Sequence, residues 1–150
     1  GNYDDLVSHI EKLSVRFDEL SDSIKAAEKR IVEVQALQQH IKNYRDTRQF
    51  YVEYRKSGYS KKFFEEHRQE ITIHKAAKKA FDEAQITKLP SSQSLYEEFH
   101  RLTVQKKQDY AEYRKIRKEK EELLIAKQTV ETILNIDKKK EQEQEKKPVR

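Results

Sequence analysis

Few side chains in this sequence are placed to do chemistry, and their spacing says which chemistry is open to them. Glu97-x-x-His100 has the form of one half of a carboxylate-bridged di-iron site. Such a site needs a second copy of the motif and two further inward glutamates, and no second copy occurs. The pair reads as an exposed polar couple. His67 and His74 lie seven residues apart, on one helical face, and could clip a metal across two turns. Zinc takes three or four ligands, and the chain has neither cysteine nor a His-Glu-x-x-His run. Packing at a helix seam explains both rings better. Two glycines in total cannot build a phosphate-cradling loop, and no Ser-His-Asp constellation is visible. No catalytic residue, metal ligand, cofactor site or small-molecule substrate is expected.

The stronger candidates are cations interleaved with aromatic rings. Residues 42–62 hold seven bases against Asp46 and Glu53, and residues 101–120 hold eight against Asp109, Glu112 and Glu119. Arg45, Arg48 and Arg55 run beside Tyr44, Tyr51 and Tyr54. Lys61 and Lys62 occupy a helix's first turn, where the dipole disfavours cations by about 0.3–1 kcal/mol. Lys107, Arg114 and Lys118 project from one outer face of a later helix. Arg and Lys neutralise phosphates, and exposed tyrosines stack on unpaired bases. These eight residues are the expected nucleic-acid contacts. The competing reading is a solvated outer face with the tyrosines in the core.

The elements that must position these residues follow from apolar spacing. Leu6, Ile10, Leu13, Phe17, Leu20, Ile24, Ala27, Ile31, Val34 and Ile41 fall on one 4-3-4-3 grid that only Gln38 interrupts. An apolar residue every 3.5 positions keeps a seam against a partner helix. The spacing predicts helices over about 4–57, 60–84 and 91–137 in a single domain, 1–137. Gly58 suits the end of the first, Ser60 the start of the second, and Ser94 with Glu97 a capping box on the third. The last seam is Leu95, Phe99, Leu102, Tyr110, Tyr113, Ile116, Leu123, Val130 and Leu134. Residues 138–150 lack apolar periodicity and read as a charged tail, either a frayed helix end or a disordered linker. Twelve of the fourteen aromatic residues lie between Tyr44 and Tyr113, which predicts the thick end. The expected fold is all-α: an elongated antiparallel hairpin or coiled coil, with the shorter helix completing a three-helix bundle at one end. A dimer closing the same seam is the alternative.

Composition agrees with narrow helical rods. Of 150 residues, 35% are hydrophobic and 39% charged, with two Gly, two Pro and no Cys. The net charge of +5 favours a polyanionic partner. No apolar run is long enough to span a membrane. No signal-peptide pattern opens the chain, and a cytoplasmic location is expected. Gly1 reads as the scar of a cleaved tag, and a start inside a heptad region reads as a piece of a longer protein.

Particular strings carry a resemblance. Ile24-Lys25-Ala26-Ala27-Glu28-Lys29-Arg30 through Ile41-Lys42-Asn43-Tyr44 resembles the C-terminal helical region of relaxases, the mobilisation nucleases of Gram-positive conjugative transposons. The likeness continues through Tyr54-Arg55-Lys56-Ser57-Gly58-Tyr59-Ser60-Lys61-Lys62-Phe63, Ile73 to Phe81 and Lys88-Leu89-Pro90. It resumes at Tyr110-Ala111-Glu112-Tyr113-Arg114-Lys115 and Glu122-Leu123-Leu124, and covers most of 24–134. The resemblance implies a parent protein that nicks the origin of transfer with a tyrosine and a metal-holding histidine cluster. Neither motif is present here, so no catalytic residue carries over. The chain would be a non-catalytic accessory region that assists DNA binding. The alternative is a coiled-coil module that self-associates or docks on another protein of the transfer complex without touching DNA.

Overall fold

The computed structural model describes residues 1–145. Its elements are α1 (Asn2–Lys56), α2 (Lys61–Glu66), α3 (Arg68–Glu83) and α4 (Ser92–Glu145). The fold is an all-α helical bundle, as the apolar spacing predicts, with no strand among the described residues. The packing forms two compact units. One combines Gly1–Ala26 with α4 from Gln105 onward, and the other is Ala27–Val104. The division follows from construction: the first unit is a two-helix seam, and the second adds α2 and α3.

In the first unit α1 and α4 run antiparallel. Ile10, Leu20, Ile24 and Ile116 are buried, and Phe17 stacks on Tyr113 with ring centroids 4.5 Å apart. Paired polar side chains set the register. His9 Nε2 meets Glu119 Oε1 at 3.2 Å. Seven residues on in α1 and seven back in α4, Arg16 donates two parallel 2.8 Å bonds to Glu112. Ser23 and Gln105 then donate to the buried Asp109, at 2.7 and 2.9 Å. The matched seven-residue steps are the mark of a 3.5-residue period.

The second unit packs α1 from Ala27 onward against α2, α3 and the start of α4. Its core is Val34, Ile41, Ala77, Phe81 and Leu95, with Leu37, Tyr44, Ile86, Leu89, Phe99 and Leu102 packed against it. Arg30 holds Glu98 at 2.7 Å and Glu33 at 3.3 Å. This repeats the pattern by which Arg16 holds Glu112 and Glu19.

Three boundaries differ from the sequence expectation. The second predicted helix, 60–84, breaks at His67 into α2 and α3. The His67 backbone leaves the helical region at φ −129°, while its ring packs on Phe63 and Phe50. Tyr54 is thereby flanked by Phe63 and Phe64 of α2. The third helix is capped by Ser91, whose hydroxyl accepts from the Ser94 N–H at 3.0 Å, not by a Ser94–Glu97 box. α3 ends at Glu83, in line with the predicted 84, and is closed by Gln85, a non-glycine residue at φ 57°. Ile86 N–H reaches Phe81 O at 2.9 Å there, and the same device closes α1 at Gly58, φ 73°. Finally, α4 runs through Glu145, so residues 138–145 of the predicted tail are helical; the remaining 146–150 lie outside the described residues. Lys, Glu and Gln are strong helix formers, and Lys139 and Glu143 stand at a favourable spacing of four.

Candidate nucleic-acid interface

All eight candidate cations are exposed. The structure divides them: Arg45, Arg48, Arg55, Lys61 and Lys62 belong to the second unit, and Lys107, Arg114 and Lys118 to the first.

In the second unit, Arg48 and Arg55 follow Ile41 at seven-residue steps on α1. Ile41 is buried under Leu95, but the two arginines are not covered. The cause is the start of α4. Arg45 Nη1 donates to Ser92 Oγ at 3.2 Å, so α4 begins level with Arg45 and leaves the later turns of that face open. Lys61 lines a shallow cleft with Tyr54, Phe64, Glu65 and Lys75. Lys75 Nζ lies 5.6 Å from the centre of the Tyr54 ring and 5.7 Å from that of Phe64. The Arg68 guanidinium lies 5.4 Å from the same Phe64 ring centre. Spacing alone does not single out Lys75, because it reaches this cluster only when the chain turns back between α1 and α3.

In the first unit, Lys107, Arg114 and Lys118 share the outer face of α4, and the Arg114 guanidinium lies 5.7 Å from the Tyr110 ring centroid. The arginines of both units fall into two populations. Arg16, Arg30 and Arg68 are engaged by carboxylates. Glu112 holds Arg16 more firmly protonated, and Arg16 in turn pulls the Glu112 carboxyl below its ordinary value. Among the described residues, none of the eight candidates forms an ion pair.

The tyrosines behave differently from the expectation that they stand ready to stack on bases. Tyr44 and Tyr51 sandwich His74, at centroid distances of 4.5 and 4.8 Å. Tyr54 is taken up by Tyr59, Phe63 and Phe64. The rings open to solvent are Tyr59, 58% exposed, and Tyr96, 65% exposed.

The histidines are not brought together as ligands. His74 is buried, and its Nδ1 lies 3.0 Å from Thr47 Oγ1. The Thr47 hydroxyl donates to the Asn43 carbonyl at 2.6 Å, which leaves its oxygen to accept and favours the tautomer with the proton on His74 Nδ1. Burial lowers the His74 pKa against the pull of the Tyr44 carbonyl, and the cations Lys78 and Arg48 lower it further. The ring is therefore a neutral structural group. Glu97 and His100 are both exposed, with Glu97 accepting from Gln93 at 3.2 Å. Among the described residues no three His, Asp or Glu side chains gather in a metal-binding group, and no helix is long and apolar enough to cross a membrane. Compared with protein-family profiles, curated proteins and solved structures, the chain matches none.

Proposed function

We propose that this chain is a non-catalytic accessory domain of a relaxase-type protein, acting in the cytoplasm to hold transfer-origin DNA near the nicking site. The observation that carries the reading is the split among cations. Arg16, Arg30 and Arg68 are held by carboxylates, whereas Arg45, Arg48, Arg55, Lys61, Lys62, Lys107, Arg114 and Lys118 are exposed without an ion pair among the described residues. A cation outside an ion pair gives up no carboxylate when it meets a phosphate, although Arg45 would exchange its bond to Ser92 and Arg114 its place over Tyr110, and counterion release then favours binding. Tyr59 and Tyr96 are the rings open to unpaired bases. The relaxase resemblance of residues 24–134 supplies the polyanion.

The test is a filter-binding titration with single-stranded and duplex transfer-origin DNA across about 50–200 mM salt, where phosphate contacts show. Affinity should fall with a log–log slope of about −0.7 per phosphate neutralised on single strands. Reversing Lys107, Arg114 and Lys118 to Glu should weaken binding and flatten that slope. Unchanged affinity in the triple variant would remove these residues from the account. No binding by the parent chain even at low salt would remove DNA altogether.

A further inference from the structure

The seam of α4 in the first unit is occupied by α1, yet α4 carries a second stripe on its back. At 100° per residue, Ile125, Thr129, Thr132 and Ile136 fall within about 60° of one another, opposite Ile116, Leu123 and Val130. All four are exposed, Ile125 at 65% and Ile136 at 47%. Ile133 flanks the stripe and is 53% exposed. Their 4-3-4 spacing is that of a coiled-coil seam with nothing on it. The same spacing continues outward into charge: Lys118 and Glu122 precede Ile125, and Lys139 and Glu143 follow Ile136. These four are also exposed.

We propose that this back face of α4, from Lys118 to Glu143, pairs two copies of the chain antiparallel, with Ile125 of one copy against Ile136 of the other. The order of residue types is self-complementary when read backwards. Set Ile125 on Ile136 and every further step of three or four residues lands on a favourable partner. Thr129 meets Thr132 at the centre, Glu122 meets Lys139, and Lys118 meets Glu143. A two-fold axis between Thr129 and Thr132 makes each contact twice, as an isologous interface requires. Beside the seam, Ile133 meets Ala126 of the other copy.

Charge selects both the occupant and the direction. A parallel pair would set Lys118 on Lys118, Glu122 on Glu122 and Lys139 on Lys139. Like charges at facing positions specify against an arrangement as effectively as matched charges specify for one. A partner of uniform charge would leave half of these residues mismatched. The apolar zone is short and its centre is threonine, so the dimer is weak and concentration-dependent, at the small end of specific interfaces. None of these contacts uses the α1–α4 seam, so the first unit's hairpin stays intact.

Sedimentation equilibrium of the full chain without DNA tests the proposal. The apparent mass should rise from 18.0 kDa towards twice that value across a concentration series. In a self-pair, Glu122→Lys turns both of the 122–139 contacts into lysine facing lysine, and Lys139→Glu turns both into glutamate facing glutamate. Each variant alone should therefore associate at least tenfold more weakly. Mixed in equal amounts, the two should recover the parent's association, because each mismatch becomes a match. The substituted positions are exposed, and unchanged helical circular dichroism checks that both chains fold. Ile125→Cys in one chain and Ile136→Cys in the other should oxidise to the mixed disulfide over either self-disulfide, which a parallel pair would not do. A parent chain that stays at 18.0 kDa, charge variants that associate like the parent, or a mixture no stronger than its components would each overturn the proposal. Lys118 belongs to both faces, so its reversal in the DNA titration would also oppose pairing. The association variants change only Glu122 and Lys139, and a Lys107→Glu/Arg114→Glu variant that keeps Lys118 tests DNA contact without touching the seam.

Discussion

Thr47→Val probes the bond that fixes the tautomer of His74. Valine keeps the β-branched shape, and its helix propensity is close to that of threonine, so the backbone of α1 is hardly disturbed. What is removed is the oxygen 3.0 Å from His74 Nδ1. His74 is 3% exposed and Thr47 6%, so water does not readily replace it. A buried donor left without its acceptor costs about 1–3 kcal/mol. The added methyl returns part of this, up to about 0.8 kcal/mol by the transfer of one carbon from water. The net loss is about 1–2 kcal/mol, which for a chain of this size lowers Tm by roughly 2–8 °C.

The assay is thermal and urea unfolding followed by circular dichroism, in a cycle with His74→Phe. Phenylalanine keeps a ring between Tyr44 and Tyr51 but carries no N–H to orphan. In that background Thr47→Val should cost less than about 0.5 kcal/mol, since replacing both members of a hydrogen-bonded pair is close to neutral. Nitrogen chemical shifts of the imidazole should report a protonated Nδ1 in the parent. Equal costs in the two backgrounds, or a protonated Nε2 with bare Nδ1, would refute the reasoning.

Stability should also depend on pH through the same ring. The unfolded chain protonates His74 near pH 6.5, whereas burial keeps the folded ring neutral to lower pH. The contribution is fully present above pH 6.5 and is lost as pH falls towards the lowered folded value; Tm measured from pH 8 to 5 should decline in that window and flatten in His74→Phe. Gln85 closes α3 in a left-handed conformation that costs an L-residue about 1 kcal/mol, so Gln85→Gly should raise stability by roughly that amount, and a urea midpoint that falls instead would show that its side chain holds the turn.

The fold class was legible because a 4-3-4-3 grid admits few structures, and Ile10, Leu20, Ile24, Val34 and Ile41 of that grid are buried. The break at His67 was not, because Phe63, Phe64, His67, Ile71 and His74 keep helical spacing straight through it. Periodicity records which face a residue occupies and is blind to a single distorted backbone angle. Three neighbouring serines, Ser91, Ser92 and Ser94, offered equivalent caps, and only the path of the chain from Pro90 selects Ser91. Of the candidate interface, the exposure of the eight cations was legible, since each lies off the grid or past the start of α4. The fate of the tyrosines was not. Tyr44, Tyr51 and Tyr54 look alike in sequence, and their uptake by His74, Phe63 and Phe64 depends on α2 and α3 folding back. The Arg16–Glu112 and Arg30–Glu98 clamps were detectable in principle, because Arg-x-x-Glu recurs fourteen residues apart along the flank of the seam.

The two proposals meet on the back of α4, and their combination has a measurable length. The proposed two-fold axis passes between residues 129 and 132, near their midpoint. Arg114 lies about 25 Å from that point along α4, and Lys107 about 35 Å, at 1.5 Å per residue. A two-fold axis places the second copy's patch equally far on the other side. The basic patches of an antiparallel dimer are thus roughly 50–70 Å apart, the span of about 15–20 base pairs at 3.4 Å each. A shorter duplex engages one patch, and a longer one engages both. Affinity for duplexes of increasing length should therefore rise steeply near 20 base pairs in the parent chain. Glu122→Lys, which opposes pairing without touching Lys107 or Arg114, should bind short duplexes about as well as the parent and show no such rise. A smooth length dependence shared by both chains would mean that the helix binds DNA one copy at a time, whatever its back face does in solution.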